Sequence, residues 1–193
     1  MDNVIAIVLG FLLTTVAGGW WASRLQQRAW LRQNEVQLRQ AEHESAAGAC
    51  KEILSLLDRR LYRMQRLVWA AAGGDLGEVE TRREQYVEVL FDWNDHLNTN
   101  LSVVGTYFGN RARGQLEGLY EDFKRVGGEV EDLVRGSTRG EPDPGLADRV
   151  GAELEGRGAD SLNDSVYQFG LLLLGRLRDG RVGRKAPDGE PSA

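Results

Sequence analysis

The uncharged stretch VIAIVLGFLLTTVAGGWWA, from Val4 to Ala22, constrains the fold of this chain more than any other feature of its sequence. As an α-helix it would be about 28 Å long, close to the hydrocarbon thickness of a bilayer. So long an uncharged run is hard to reconcile with a buried helix in a small soluble domain. The sequence therefore predicts that residues 1–22 form a single transmembrane anchor.

The residues around this stretch indicate that it is retained and which way it points. Asp2 is the only charged residue in front of it, whereas a cleaved export signal carries Lys or Arg there. Predicted interfacial anchors follow on the C-terminal side, as Trp20, Trp21, Arg24, Arg28 and Arg32, although a solvated face explains the arginines equally well. The positive-inside rule then predicts a plasma (inner) membrane protein whose N-terminus is outside and whose remaining chain is cytoplasmic.

Small side chains recur every four residues along the same stretch, at Ala6, Gly10, Thr14, Gly18 and Ala22. In lipid, helices attract each other chiefly where small residues let their backbones approach and hydroxyls can hydrogen bond. The pattern predicts a homo-oligomer formed through this membrane helix. Because Gly and Ala are common in membrane helices, coincidence of composition is the alternative.

Beyond the anchor, the sequence predicts helices throughout. Residues 23–48 are polar, free of proline and poor in apolar residues, which is typical of a helical stalk. In residues 49–179 apolar residues recur at spacings of three and four, which predicts a helical bundle. The stripes are Cys50, Leu54, Leu57, Leu61, Met64 and Val68; Tyr86, Leu90, Trp93, Leu97, Leu101, Val104 and Phe108; Leu116, Leu119, Phe123, Val126, Val130 and Leu133; and Leu162, Val166, Phe169, Leu173 and Leu177.

Glycine- and proline-rich segments separate these stripes. AAAGGDLGE ends the first helix, Gly109-Asn110 offers a stop or kink, and GSTRGEPDPG is the clearest loop, followed by a short helical turn at 146–154. Short connections favour an antiparallel cytoplasmic bundle of about four helices. The predicted fold is therefore all-α, with a single N-terminal transmembrane helix, a helical stalk, this bundle, and a disordered tail at 180–193.

Composition excludes several classes of function. The formal net charge of -5 argues against a broad basic surface, so no nucleic-acid partner is expected. Cys50 is the only cysteine, which excludes a disulfide within the chain and favours a buried free thiol in a reducing compartment. With only His43 and His96, a catalytic zinc site built from several histidines is excluded, and no phosphate-binding or nucleophile motif occurs. We expect no metal, no cofactor and no enzymatic activity.

Two polar clusters remain as candidate sites. The segment WNDHLNTN places Asp92, Asn94, His96, Asn98 and Asn100 together, where they would form a polar network if buried and a solvated face otherwise. The densest basic cluster, a candidate partner-binding surface, is Arg59, Arg60, Arg63 and Arg66. Pairing of these arginines with Glu80, Glu84 and Glu88 across the glycine-rich turn is the simpler interpretation.

These features together favour a membrane-anchored, self-associating interaction or scaffold protein that recruits or organises a cytoplasmic protein. The first alternative is an oligomeric pore former or membrane-disrupting effector, although the span offers only Thr14 and Thr15 as polar side chains and no charged ring to line a conducting pore. The second is a membrane-bound enzyme that uses Asp92, His96 and the nearby asparagines. Membrane lipid and copies of the same chain are the other expected partners.

Overall fold

The computed structural model describes residues 2–141, 143–155 and 161–183, with side chains described for residues 30, 33–141, 143–155 and 161–183. Four helices cover most of these residues: α1 (Asp2–Gly73), α2 (Leu76–Thr138), α3 (Pro144–Glu155) and α4 (Leu162–Arg178). No strand occurs within the described ranges. The prediction of an all-α fold is confirmed.

The chain divides into two units, residues 1–42 and 43–193. The first unit contains the predicted anchor at 1–22 and most of the predicted stalk at 23–48. The small-residue face and all five interfacial anchors lie outside the residues whose side chains are described. Within the part of the chain whose side chains are described, no helix is both long and apolar enough to cross a membrane.

The second unit is built around one hydrophobic core, to which all four helices contribute. In α1 the predicted stripe is buried except for Leu54, which is half-buried, and Ile53 and Leu67 complete the core face. The largest fully buried side chains are Trp93, Phe108 and Phe123, all in predicted stripes of α2. Burial of such apolar surface is the main source of stability in a bundle of this kind.

The helix α2 reverses direction at Gly109, which has φ 77 and ψ 171. This residue separates a first arm, 76–108, from a second arm, 110–138. The arms lie antiparallel, because Arg83 Nη2 is 3.3 Å from Glu131 Oε2, and a Cβ atom on Gly127 would lie 3.1 Å from the hydroxyl oxygen of Tyr86. The predicted stop or kink at Gly109 is confirmed, and it is a complete turn of the chain.

The first arm also lies antiparallel to α1. Gly74, with φ 75, ends α1 by donating from its N–H to the carbonyl oxygen of Ala70. Asp75 then caps α2, because its carboxylate accepts from the backbone N–H groups of Gly77 at 3.0 Å and Glu78 at 3.1 Å. The predicted helix end at AAAGGDLGE is therefore confirmed.

The fourth position of the bundle is shared by α3 and α4, which are separate helices. Arg125 of the second arm donates to Glu153 of α3 at 2.7 Å. A Cβ atom on Gly170 of α4 would lie 3.5 Å from Leu54 of α1. The loop before α3 is residues 139–143, shorter than the predicted GSTRGEPDPG, because α2 continues to Thr138 and α3 begins at Pro144.

The C-terminal segment is described only as far as residue 183. Val182 is buried against the core, so the first residues of the predicted tail at 180–193 belong to the packed unit. Residues 184–193 lie outside the described part of the chain.

We expect replacement of Gly109 by alanine to lower the free energy of unfolding by about 1–3 kcal/mol, because its backbone angles are accessible almost only to glycine. The matched control is Gly114→Ala in the second arm, where an added Cβ atom meets nothing within 4 Å. This control should raise stability by about 0.5–1 kcal/mol, since helix interiors favour alanine. Denaturant unfolding of the full chain in mild detergent, followed by circular dichroism, measures both. Equal responses of the two variants would contradict the turn at Gly109.

Candidate functional site

Arg60 is a charged residue in the middle of the core face of α1. It lies three residues after Leu57 and four before Met64, both fully buried, and it is itself only 2% exposed. In the sequence it belongs to one basic cluster with Arg59, Arg63 and Arg66. The structure separates Arg60 from the other three, which are exposed or half-buried.

Aromatic rings enclose the buried guanidinium. The Cζ atom of Arg60 is 4.6 Å from the ring centroid of Phe123 and 5.7 Å from that of Trp93. At these distances the negative faces of the rings attract the cation. Burial lowers the pKa of Arg60, and the Tyr86 hydroxyl and Tyr120 oppose that shift. Arginine titrates so far above neutrality that the group remains charged.

The same centre has more hydrogen-bond donors than acceptors. Arg60 Nε, Arg60 Nη1 and Trp93 Nε1 are buried, and none has a hydrogen-bond partner among the described atoms. Nor does Arg60 form an ion pair with any described carboxylate. A buried donor without a partner costs about 1–3 kcal/mol, and more when it is charged. The unpartnered donors therefore lower the free energy of unfolding, which is not expected of a residue whose only role is to stabilise the fold.

A cleft of about 260 Å³ opens between the two arms of α2, with Arg60 of α1 in its lining. Its walls are mostly apolar and aromatic, and polar groups stand among the more exposed lining residues. The residues that line it are Arg60, Tyr86, Leu90, Asn94, Tyr120, Phe123, Lys124, Gly127, Gly128 and Glu131. Gly127 and Gly128 leave the backbone of the second arm bare on this side, and the absence of a side chain at Gly127 admits the Tyr86 hydroxyl.

The other three arginines of the basic cluster have partners in the first arm of α2. Arg59 lies 3.3 Å from Asp92, Arg63 donates to Gln85 at 2.6 Å, and Arg66 lies 3.5 Å from Glu78.

The expected partners Glu80, Glu84 and Glu88 are exposed, and they do not occupy these positions. Antiparallel packing about the turn at Gly74 brings other residues of the first arm opposite the arginines.

The predicted polar network around WNDHLNTN is only partly brought together. His96 Nδ1 lies 3.3 Å from the carboxylate of Asp92 and 2.8 Å from its backbone oxygen. Asn94 and Asn98 are exposed, and Asn100 is half-buried with a buried Nδ2 atom that has no partner among the described atoms. Of the five residues, Asp92 and His96 form the described contact, and Asn94 belongs to the cleft beside Arg60.

Neither a metal site nor a reactive thiol is supported by the described residues. Within the described residues no group of three or more His, Cys, Asp and Glu is placed to hold a metal ion. Cys50 is buried in the core, and burial raises the pKa of its thiol, which disfavours the reactive thiolate. The cleft beside Arg60 is distinguished by a buried charge with unpartnered donors in its lining, and it is the candidate site.

No protein-family model matches this chain, and no curated protein or solved structure is significantly similar to it.

Replacement of Arg60 by methionine should leave the free energy of unfolding unchanged or raise it by about 1 kcal/mol or more. Methionine fills a similar volume and removes the two unpartnered donors of Arg60, which outweighs the loss of two ring contacts worth about 1–2 kcal/mol each. The matched control is Leu57→Ala one turn earlier, which should cost about 2–5 kcal/mol. Denaturant unfolding of the full chain checks this expectation. A loss of stability in Arg60→Met as large as in the control would show that Arg60 serves the fold.

Proposed function

We propose that this protein is a membrane-anchored interaction protein. Its N-terminal segment, residues 1–22, crosses the plasma (inner) membrane once, with the N-terminus outside, and associates with copies of itself. Its cytoplasmic helical bundle docks a partner protein. The proposal includes no catalytic step, no cofactor and no nucleic acid.

The proposed anchor is supported by the sequence alone. The run from Val4 to Ala22 carries no charge, and tryptophans and arginines follow it in the order expected for a membrane interface. The proposed self-association is supported by the five small residues spaced four apart, from Ala6 to Ala22.

The proposal of a docked partner is based on an exposed apolar stripe on α4. Tyr167, Leu171 and Leu174 are 59%, 47% and 53% exposed, and they follow one another at spacings of four and three. The adjoining side of α4 already buries its apolar residues in the core, at Val166, Phe169, Leu173 and Leu177. Because the fold does not cover the stripe, it is a surface of the kind that marks protein interaction sites.

The shape beside the stripe suits a helix. The three residues border a groove of about 250 Å³ between α4 and α1, in which Leu54 and Gly170 provide the floor. Anchors at successive helical turns and a groove alongside them are the usual geometry for docking an amphipathic helix. Asp58 and Asn163 line the same groove, so we propose a partner helix with an apolar face and a basic residue opposite Asp58.

This surface replaces the basic cluster as the proposed partner site. Arg59 and Arg66 are engaged with Asp92 and Glu78 of the same chain, so binding an acidic partner there would first require breaking those ion pairs. The α4 stripe requires no such rearrangement.

We expect Leu171→Glu to weaken partner binding at least tenfold while leaving the bundle folded, because a carboxylate would enter an apolar contact next to Asp58. The matched control is Phe91→Glu, since Phe91 is also a large apolar residue and is 64% exposed on another helix. The partner is first isolated with the full chain from gently solubilised native membranes, and its affinity for each purified variant is then measured by titration. Equal affinities of the two variants for the partner would show that α4 is not the docking surface. If the stripe binds only a second copy of this chain, the proposal of a different partner protein is wrong.

Membrane attachment and self-association have a separate test. The full chain should resist extraction by alkaline carbonate, whereas a chain that lacks residues 1–22 should be released. Gly10→Leu combined with Gly18→Leu should weaken the detergent-solubilised oligomer, because the larger side chains separate the backbones. The matched control is Leu9→Ala with Leu13→Ala, off the small-residue face. Release of the intact chain by carbonate would contradict the anchor, and an unchanged oligomer would contradict the contact face.

A further inference from the structure

We infer that the cleft between the two arms of α2 binds a small organic carboxylate, held by the buried guanidinium of Arg60. This inference goes beyond the proposed function and does not depend on it, because it concerns a different face of the bundle. It rests on a shortage of acceptors, on the lining of the cleft and on the balance of charge around it.

The shortage of acceptors points to a bound anion. Three buried N–H-bearing nitrogens, Nε and Nη1 of Arg60 and Nε1 of Trp93, have no partner in the described structure. Arg60 is 2% exposed and lines a cleft with room for a guest. A carboxylate oxygen placed against the guanidinium would supply an acceptor and a compensating charge together.

The charges on the cleft favour the same class of ligand. Glu131 is the acidic residue in its lining, and Arg83 offsets that charge at 3.3 Å. Lys124 also lines the cleft, where it lies 3.5 Å from Glu121. Arg60 interacts with the neutral hydroxyl of Tyr86 and forms no ion pair with a described carboxylate, so a guest with a single negative charge completes the site.

The walls of the cleft favour a ligand that has an apolar group attached to its carboxylate. Leu90, Phe123 and the rings of Tyr86 and Tyr120 surround the space, and the glycine pair at 127–128 widens it. Inorganic phosphate would make no apolar contact with these walls, and its negative charge is larger than one guanidinium can offset. An aryl or short alkyl carboxylate matches both the charged centre and the walls.

The test uses the purified full chain in mild detergent, with phenylacetate as the probe. Phenylacetamide is the uncharged match, and inorganic phosphate is the anion without an apolar body. Isothermal titration measures affinity, and the nuclear magnetic resonance signal of the Trp93 indole N–H reports binding at this place. We expect saturable binding of phenylacetate that shifts the Trp93 signal, and at least tenfold weaker binding of the other two compounds.

Two variants separate the site from general hydrophobic binding. Arg60→Met should weaken phenylacetate binding at least tenfold by removing the cation. Gly128→Leu should do the same by adding a side chain at the cleft while keeping Arg60, and the glycine backbone there has open space for a Cβ atom. The matched control is Gly114→Leu, which has the same open space on the same arm away from the cleft and should bind like the unaltered chain.

Several outcomes would overturn the inference. These are equal binding of phenylacetate and phenylacetamide, equal binding by Arg60→Met and the unaltered chain, tighter binding of phosphate, and no saturable binding up to about 10 mM. Because Gly128→Leu leaves Arg60 in place, loss of binding in that variant cannot be attributed to misfolding around an altered core. The membrane and partner tests address residues outside this cleft, so failure of either proposal is distinguishable from failure of the other.

Discussion

The reversal of the chain at Gly109 is the constraint on which the rest of the bundle depends. One residue with a positive φ connects the two arms of α2, and the contacts of Arg83 with Glu131 and of Tyr86 with Gly127 show that the arms lie side by side. That arrangement brings Trp93 of the first arm and Phe123 of the second to the same buried guanidinium. It also creates the space between the arms, because Gly127 faces the Tyr86 hydroxyl of the first arm and Gly128 adds no side chain to the cleft.

A charge in such a core sets two effects against each other. Ring faces stabilise the cation of Arg60 by about 1–2 kcal/mol each, whereas removing it from water and leaving donors unpartnered costs more. The comparison favours an apolar residue at position 60 if the fold were the only requirement. A role of Arg60 in binding at the cleft therefore explains its presence better than a contribution to the stability of the bundle does.

Much of the fold could be predicted because the helices and turns depend on residues that are close together in the sequence. Apolar spacing located the helices of the bundle, and Gly74, Gly109 and the segment before Pro144 located the turns, since each depends on a few neighbouring residues. The site could not be found in this way, because Arg59, Arg60, Arg63 and Arg66 look alike in the sequence. The one available signal was that Arg60 continues the spacing of Ile53, Leu57 and Met64 as a core position. Its aromatic neighbours come from distant parts of the chain, which only the fold brings together.

The order of contacts along the chain has a consequence for assembly. α1 meets the first arm across a turn at Gly74, and the two arms meet across a single residue, so these pairings close short loops at little entropic cost. Contact between Leu54 and Gly170 joins segments that are far apart in sequence, and it must close a much longer loop. During synthesis α4 also leaves the ribosome last. The three-helix precursor would thus expose the face of α1 that α4 covers, and this face would stay accessible to a chaperone until α4 docks.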